Sequence, residues 1–382
     1  MERHFDCVIV GGGIIGLAHA LAAARPGLRV AVLDREERAV GASIRNFGFV
    51  TVTGQAEGIT WRRALRSRGV WAEVAPAACI AVHQNGLLMC ARRPEALTVL
   101  HEFAAGPMGQ GCHVVSGRDL TDRQPGLRPD LAGALVSPHE LRVESRDAIP
   151  RLTHWLQTAH RVELHTCVAV HGIESGRVHS SAGLFTADHI VVCPGPDLRT
   201  LFADVMERRG ITLCKLHMLR VAAPGFRIGS PLMSDLGLVR YLGYAGCSSL
   251  PALHARLMEE QRAWLDDGIH LIAVQGADGS LVVGDSHHYD HTPDPFQPRD
   301  VDDRMLEEFR AVTGIAAPDV IERWIGIYPS GPDTAFTEAV ADDVRLVMVT
   351  SGTGASTAFA IGEETVAALL GRTPPAHTQE TA

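Results

Sequence analysis

The sextet Gly11-Gly12-Gly13-Ile14-Ile15-Gly16 constrains the fold more than any other stretch, because of where it stands. It follows the run 5–10, apolar but for Asp6, and opens the alanine- and leucine-rich stretch 14–24, after which 28–33 is apolar again but for Arg29. The pattern reads as strand, turn, helix, strand. Both strands read as continuous rather than alternating apolar runs from 7 to 10 and from 30 to 33, which predicts a parallel sheet covered on each face, the doubly wound arrangement. Gly11 permits the tight turn, Gly13 lets backbone approach a ligand, and Gly16 lets the helix pack on the sheet, so the helix N-terminus faces a phosphate. Asp34 ends the second strand roughly 20 residues after the turn, where a carboxylate accepts ribose hydroxyls. Together these features predict dinucleotide binding.

Two distant segments belong to the same sheet by the same reasoning. Residues 187–195, Ala-Asp-His-Ile-Val-Val-Cys-Pro-Gly, form a short buried strand closed by a Pro-Gly turn, and 344–350 form another. The second runs through Ser351-Gly352-Thr353-Gly354 into a helical stretch over 356–370, which Gly371 terminates. The nucleotide domain is therefore expected to be discontinuous, over 1–76, 143–208 and 326–372. Residues 77–142 and 209–325 differ in texture, with an alternating strand at 281–284 and an amphipathic helix at 253–265, and are expected to form one substrate domain. The fold class is α/β (α+β overall), a Rossmann-like domain with an inserted mixed-sheet domain, and 373–382 are expected to be a flexible tail.

Composition narrows the function classes. A formal charge of −9 without a block of like charges offers no basic stripe for nucleic acid. The eight cysteines, at 7, 79, 90, 112, 167, 193, 214 and 247, include no CxxC pair, so buried reduced thiols are expected, with Cys193 a packing residue. The polar start Met1-Glu2-Arg3-His4 and the three successive glycines suit neither a signal peptide nor a membrane span, so a cytoplasmic location is expected.

NAD and FAD share the glycine turn, and the choice between them turns on a second anchor. A flavin needs support for its ring, and the Ser351-Gly352-Thr353-Gly354 turn supplies it. Its glycines allow close approach, and the following helix aims its positive end at the N1/C2 carbonyl edge of a reduced flavin.

These residues carry a resemblance. GGGIIG, Asp34, the loop Gly41-Ala42-Ser43-Ile44-Arg45-Asn46-Phe47-Gly48, the strand ending VVCPG and the closing SGTGASTAFAIGE together resemble the D-amino-acid oxidase, glycine oxidase and sarcosine oxidase superfamily. GASIRNFG, HELRVESRDAIPRL and GDSHHYD further resemble a bacterial subgroup linked to phosphonate use, whose members oxidise N-methylated aminoethylphosphonate. The resemblance implies an FAD amine oxidoreductase in which hydride leaves the carbon bearing the amine and the imine hydrolyses. It implies FAD contacts from Gly11, Gly13, Ile14, Ile15 and Gly16, then Asp34 and Arg35, then Ser43, Arg45 and Asn46. Further contacts are expected from Val168 and Gly195, and from Gly352, Thr353, Gly354, Ala355, Ser356 and Thr357 at the second turn. Covalent attachment is not expected, because the position of the linking cysteine of sarcosine oxidases reads Gly326 and the loop after Asp34 lacks a histidine.

Departures from the family pattern bear on the substrate. Where relatives read WxGxRPxxPD with an arginine for the substrate carboxylate, this chain reads Trp324-Ile325-Gly326-Ile327-Tyr328-Pro329-Ser330-Gly331-Pro332-Asp333, with Tyr328 at the arginine position. Where sarcosine oxidases place a lysine, the register gives Ser356. Arg45, His287, His288, and Arg240 with Tyr241 and Tyr244 are candidate replacements, and scattered donors suit a tetrahedral phosphonate. The catalytic candidates are His287, His288, Tyr328 and Arg45. Adjacent strand residues face opposite ways, so His287 and His288 are not expected to share a metal. The expected partners are a small anionic amine and oxygen or another acceptor, in a monomer or homodimer. Two alternatives stay open: a 2-hydroxy-acid oxidoreductase with His287 or His288 as base, and a flavin-binding protein without turnover.

Overall fold

The computed structural model describes residues 3–124 and 126–373; of the tail expected at 373–382, all but Thr373 lies outside them. Parallel pairing runs through the strands Val344–Ser351, Gly183–Val192, Arg3–Val10, Val30–Leu33 and Glu163–His165, in that spatial order. The N-terminal strand is therefore central, and Val30–Leu33 is buried along its length, as continuous apolarity requires. Helices cover the sheet. Ile14–Ala24 lies so close to Gly354–Leu369 that a Cβ on Gly362 would stand 2.9 Å from the Ala18 carbonyl oxygen. From the helix Ile59–Ala77, Trp71 meets Phe359 edge-on at 5.2 Å, and its indole N–H donates to the Ala355 carbonyl at 2.8 Å. Each large apolar side chain buried here, among them Leu17, Leu21 and Phe359, stabilises the fold by about 2 kcal/mol.

The same sheet continues into a mixed part. Thr212–Val221 lies antiparallel to Leu281–Gly284, His288–Asp290 and Val320–Ala341. The sheet continues through Ile272–Gln275 and Leu232–Ser234 to Val82–Ala91 and Gly133–Val143. Val320–Ala341 joins the two halves of the molecule: its first part pairs with Thr212–Val221, and residues 335–341 pair with Val344–Ser351. This strand crosses the boundary placed at 326 without a break.

Two local expectations are corrected. Leu281–Gly284 is buried throughout rather than on alternate residues, because neighbouring strands flank it and the helix Arg299–Val312 packs on it. The single helix expected at 253–265 is two, Leu250–Glu260 and Arg262–Asp266, broken at Gln261, whose side-chain amide donates to Glu308 at 2.9 Å. Among the described residues, no helix is long and apolar enough to cross a membrane.

Candidate active site

The first strand ends at Val10 and is followed by Gly11, whose φ of +107° favours glycine, and a Cβ there would come within 2.3 Å of the Cys193 carbonyl oxygen. The VVCPG strand end and the glycine turn thus touch through backbone alone. Cys193 is buried and its thiol pKa is pushed up by that burial, which suits packing rather than redox chemistry. The Gly12 N–H donates to Asp34 Oδ2 at 2.6 Å and the Ile14 N–H to Ser43 Oγ at 2.9 Å, so Asp34 and the 41–48 loop both hold the turn in shape.

A cavity of about 460 Å³ opens in front of this turn and extends to the mixed sheet. Gly13, Ile14, Ile15, Gly16, Ser43 and Asn46 line one end, with Gly195 nearby. Gly352, Thr353, Gly354, Ala355 and Ser356 line it from the C-terminal side. A Cβ on Gly354 would stand 3.6 Å from Ile15 Cδ1, so the two glycine turns meet at one cavity. Two helix N-termini face it, and the first N–H groups of a helix have no partner within it. That arrangement fits FAD, which carries a pyrophosphate at one point and a ring edge that becomes anionic at another.

Of the other expected cofactor residues, Gly11, Asp34, Arg35, Val168 and Thr357 stand outside the lining. Gly11 shapes the turn from within it, and Asp34 holds it through the Gly12 N–H. Arg35 is exposed and pairs with Asp197 at 2.7 Å. The buried Val168 donates its N–H to the Asp34 carbonyl, and Thr357 Oγ1 donates to the Thr353 carbonyl at 3.0 Å within the C-terminal helix. Asn46 braces its own loop, accepting from the Gly48 N–H and from Ser145 Oγ, each at 2.7 Å.

The rest of the lining comes from the mixed sheet and from the helices and loops beside it. Arg240 lines the cavity, and one N–H of its guanidinium donates to the Tyr289 hydroxyl at 2.7 Å. Burial opposes its charge, yet Tyr289, Tyr328 and Asp285 outweigh that and hold its pKa upward. Arg45 is exposed at the rim, 3.4 Å from the Ile325 carbonyl oxygen. Tyr328 lines the cavity beside the second turn; a Cβ on Gly352, whose φ is +72°, would stand 3.0 Å from the Tyr328 ring. Ser356 is buried and accepts from the Thr51 N–H at 2.8 Å, a neutral contact where sarcosine oxidases place a cation.

The candidates near the end of Leu281–Gly284 separate. His287 is buried in the lining, with Nδ1 2.9 Å from the Gly268 carbonyl oxygen. A carbonyl only accepts, so Nδ1 carries the hydrogen and Nε2 presents a lone pair. His288 lies outside the lining, in register with Lys215 and 5.5 Å from the His217 ring, because strand alternation turns it away. Tyr244 also falls outside; it is fully buried, 4.7 Å from the Phe103 ring. Tyr241 remains in the lining, 5.4 Å from the His270 ring.

Two lining residues were not singled out in the sequence. His270 and Asp285 are both buried, and with His287 they place nitrogen and carboxylate atoms within 4.8 Å of one another. Asp285 Oδ1 is 3.4 Å from His270 Nδ1, and Oδ2 is 3.8 Å from His287 Nε2. Burial raises the Asp285 pKa to about 7, against the lowering influence of Arg240. Burial first, then Arg240, lowers both imidazoles well below their ordinary range, so both rings are neutral at neutral pH. A polar Gly-Asp-Ser-His step directly after an apolar strand was the available signal for Asp285; His270 carried none.

The family model described as DAO, FAD dependent oxidoreductase, matches residues 6–368. The chain belongs to this family. FAD is accordingly its cofactor. One of the polypeptides of the opine oxidase of Rhizobium meliloti is 30% identical over 210 residues, a match covering 47% of this chain and 56% of that protein, so little more than half of that relative is spanned. Glycine oxidase from Geobacillus kaustophilus superposes with a TM-score of 0.79 at 18% identity, over 97% of this chain and 96% of that one. L-proline dehydrogenase from P. horikoshii also gives 0.79, at 16% identity over 98% and 95%. At these identities the structures establish that this chain has the DAO fold.

Proposed function

We propose that this DAO-family protein oxidises a small anionic amine, with an N-methylated or primary aminophosphonate as the substrate class. The observation that carries this reading is Arg240, a cation on the wall of the cavity with one hydrogen bond among the described residues, to Tyr289, and further N–H groups for an anion. Tyr328 takes the place of the arginine that grips a planar carboxylate in relatives, and its hydroxyl, with that of Tyr289, suits the additional oxygens of a tetrahedral head group. FAD, when bound, supplies a hydride acceptor at N5. The chain's own residues orient the amine-bearing carbon toward it, with Arg240 fixing the anion, and the walls formed by Leu216, Ile272 and Val349 limit water. The imine that leaves hydrolyses to a carbonyl compound and an amine, and oxygen or another acceptor takes the electrons onward.

Anaerobic mixing with N-methylaminoethylphosphonate, aminoethylphosphonate, sarcosine, glycine and 2-hydroxyglutarate tests the reading through flavin absorbance. Fastest bleaching by an aminophosphonate is expected. Fastest bleaching by sarcosine or glycine removes the phosphonate assignment. The neutral, lone-pair-bearing Nε2 of His287 favours one second reading, a 2-hydroxy-acid oxidoreductase with His287 as base, which bleaching by the hydroxy acid alone would establish.

A further inference from the structure

We infer that Asp285, flanked by His270 and His287, is the ammonium subsite of the cavity and takes the proton that the substrate amine must lose before it can donate hydride. The inference rests on the proposed amine chemistry and adds to it a binding site of opposite sign to Arg240.

The geometry points to a cation. Asp285 Oδ1 and both ring nitrogens of His270 are buried without a hydrogen-bond partner among the described residues. His287 presents an Nε2 lone pair, because its Nδ1 hydrogen faces the Gly268 carbonyl. The described residues place no lysine or arginine nitrogen within 4 Å of Asp285; its two ion-pair neighbours are the buried histidines. Polar groups withdrawn from water without partners are costly, and a bound group with several N–H donors and a positive charge satisfies the acceptors among them: the Asp285 oxygen, the His287 Nε2 lone pair and the one His270 ring nitrogen that carries no hydrogen. Asp285, His270 and His287 all line the cavity that Arg240 lines. The lining thus sets a fixed cation, Arg240, beside a titratable anion, Asp285, the pattern complementary to a zwitterion.

The chemistry requires that proton to leave. An alkylammonium has no free electron pair on nitrogen, so its α carbon cannot release hydride until one N–H bond breaks. In the proposed step that proton passes to an Asp285 carboxylate oxygen, and the N–H electron pair stays on nitrogen. Nothing is oxidised or reduced. The raised pKa of Asp285, about 7, narrows the gap to the amine that an ordinary carboxylate would leave, which favours transfer. The charged and titratable groups around Asp285 are His270 and His287 beside it, Arg240 and Tyr241 from the helix Leu236–Arg240 and its cap, and Cys214 on the neighbouring strand. Of these, Asp285 is the one whose value falls near neutrality.

The test separates binding from turnover and uses the FAD-loaded protein. Its first arm compares 2-(trimethylammonio)ethylphosphonate, which has no nitrogen electron pair and cannot give hydride, with its uncharged carbon isostere, by isothermal titration across pH. Wild-type protein is expected to prefer the charged ligand about tenfold above neutral pH and to lose the preference as pH falls, while Asp285→Asn shows none at any pH. Equal affinities in the wild type, or an unchanged preference in Asp285→Asn, would overturn the subsite whether or not any amine is oxidised. The second arm follows anaerobic flavin reduction by N-methylaminoethylphosphonate. The rate is expected to rise through about pH 7 in the wild type and only near the amine's own pKa in the variant. Identical pH profiles would overturn the proton-transfer role while leaving amine oxidation standing, and no bleaching by any amine would instead remove the functional reading. Elemental analysis showing one zinc or iron per chain would also overturn the inference, because that ion would then fill the cluster.

Discussion

Arg240 and Tyr289 meet at 2.7 Å across the substrate end of the cavity, the guanidinium donating to the phenol oxygen. They come from a helix in one stretch of chain and a strand in another, so the contact fixes where the anion-binding donors point. Because hydrogen bonds to charged groups contribute about 1.5–3 kcal/mol, Arg240→Gln should weaken anionic-substrate affinity roughly 10- to 100-fold. Tyr289→Phe, which frees the guanidinium but removes its brace, should cost less, roughly fivefold. Flavin content should be unchanged in both. Anaerobic ligand titration beside a visible spectrum checks this, and a full loss of flavin in Arg240→Gln would contradict placing Arg240 at the substrate end.

At the opposite end the expectation concerns the cofactor. Gly13 lines the cavity, and a Cβ there would stand 2.9 Å from Ser43 Oγ, the group that accepts from the Ile14 N–H. Gly13→Val therefore both fills the space in front of the helix N-terminus and displaces the loop that shapes it. Purified protein should be folded by circular dichroism and colourless. Retention of stoichiometric flavin would remove the basis for placing the cofactor at this turn.

Ser356 offers a third measurement. Its hydroxyl accepts from the buried Thr51 N–H at 2.8 Å and lies 3.1 Å from Thr51 Oγ1. Ser356→Ala leaves that N–H without a partner, a loss of about 1–3 kcal/mol. Thermal unfolding should fall by several degrees, with flavin still bound, since the helix N-terminus remains. An unchanged midpoint would mean that Thr51 finds another acceptor.

The sequence made the nucleotide half legible and the substrate half only in part, for a physical reason. Residues 5–34 carry their geometry locally: a continuous apolar strand, a turn that only glycine fits at Gly11, and a helix whose limits at Ile14 and Ala24 match the pattern. The substrate end is assembled from Arg240, His270, Asp285 and Tyr328, which lie on separate elements and meet only after long-range antiparallel pairing. No local spacing encodes that meeting. Strand alternation did separate His287 from His288 in advance as regards a shared ion, but which of the two faced inward depended on the pairing of His288 with Lys215.

The last expectation is a pH-dependent stability. Asp285 has a folded-state pKa of about 7 against an ordinary 3.8, with burial as the main cause. The folded state therefore binds its proton more tightly than the unfolded chain, and stability falls as pH rises from the unfolded value toward the folded one. The penalty is absent below about pH 4 and complete above about pH 7, where a shift near three units corresponds to on the order of 4 kcal/mol. Asparagine keeps the shape and has no charge to desolvate. In ligand-free, FAD-loaded protein, Asp285→Asn should thus melt a few degrees above the wild type near pH 8 and about level with it near pH 4.5. The neutral histidines His270 and His287 must gain protons on acid unfolding in both proteins, so their contribution cancels in the difference. A pH-independent difference in melting temperature would show that Asp285 carries its charge at no cost, and that a cation other than a substrate ammonium already neutralises it.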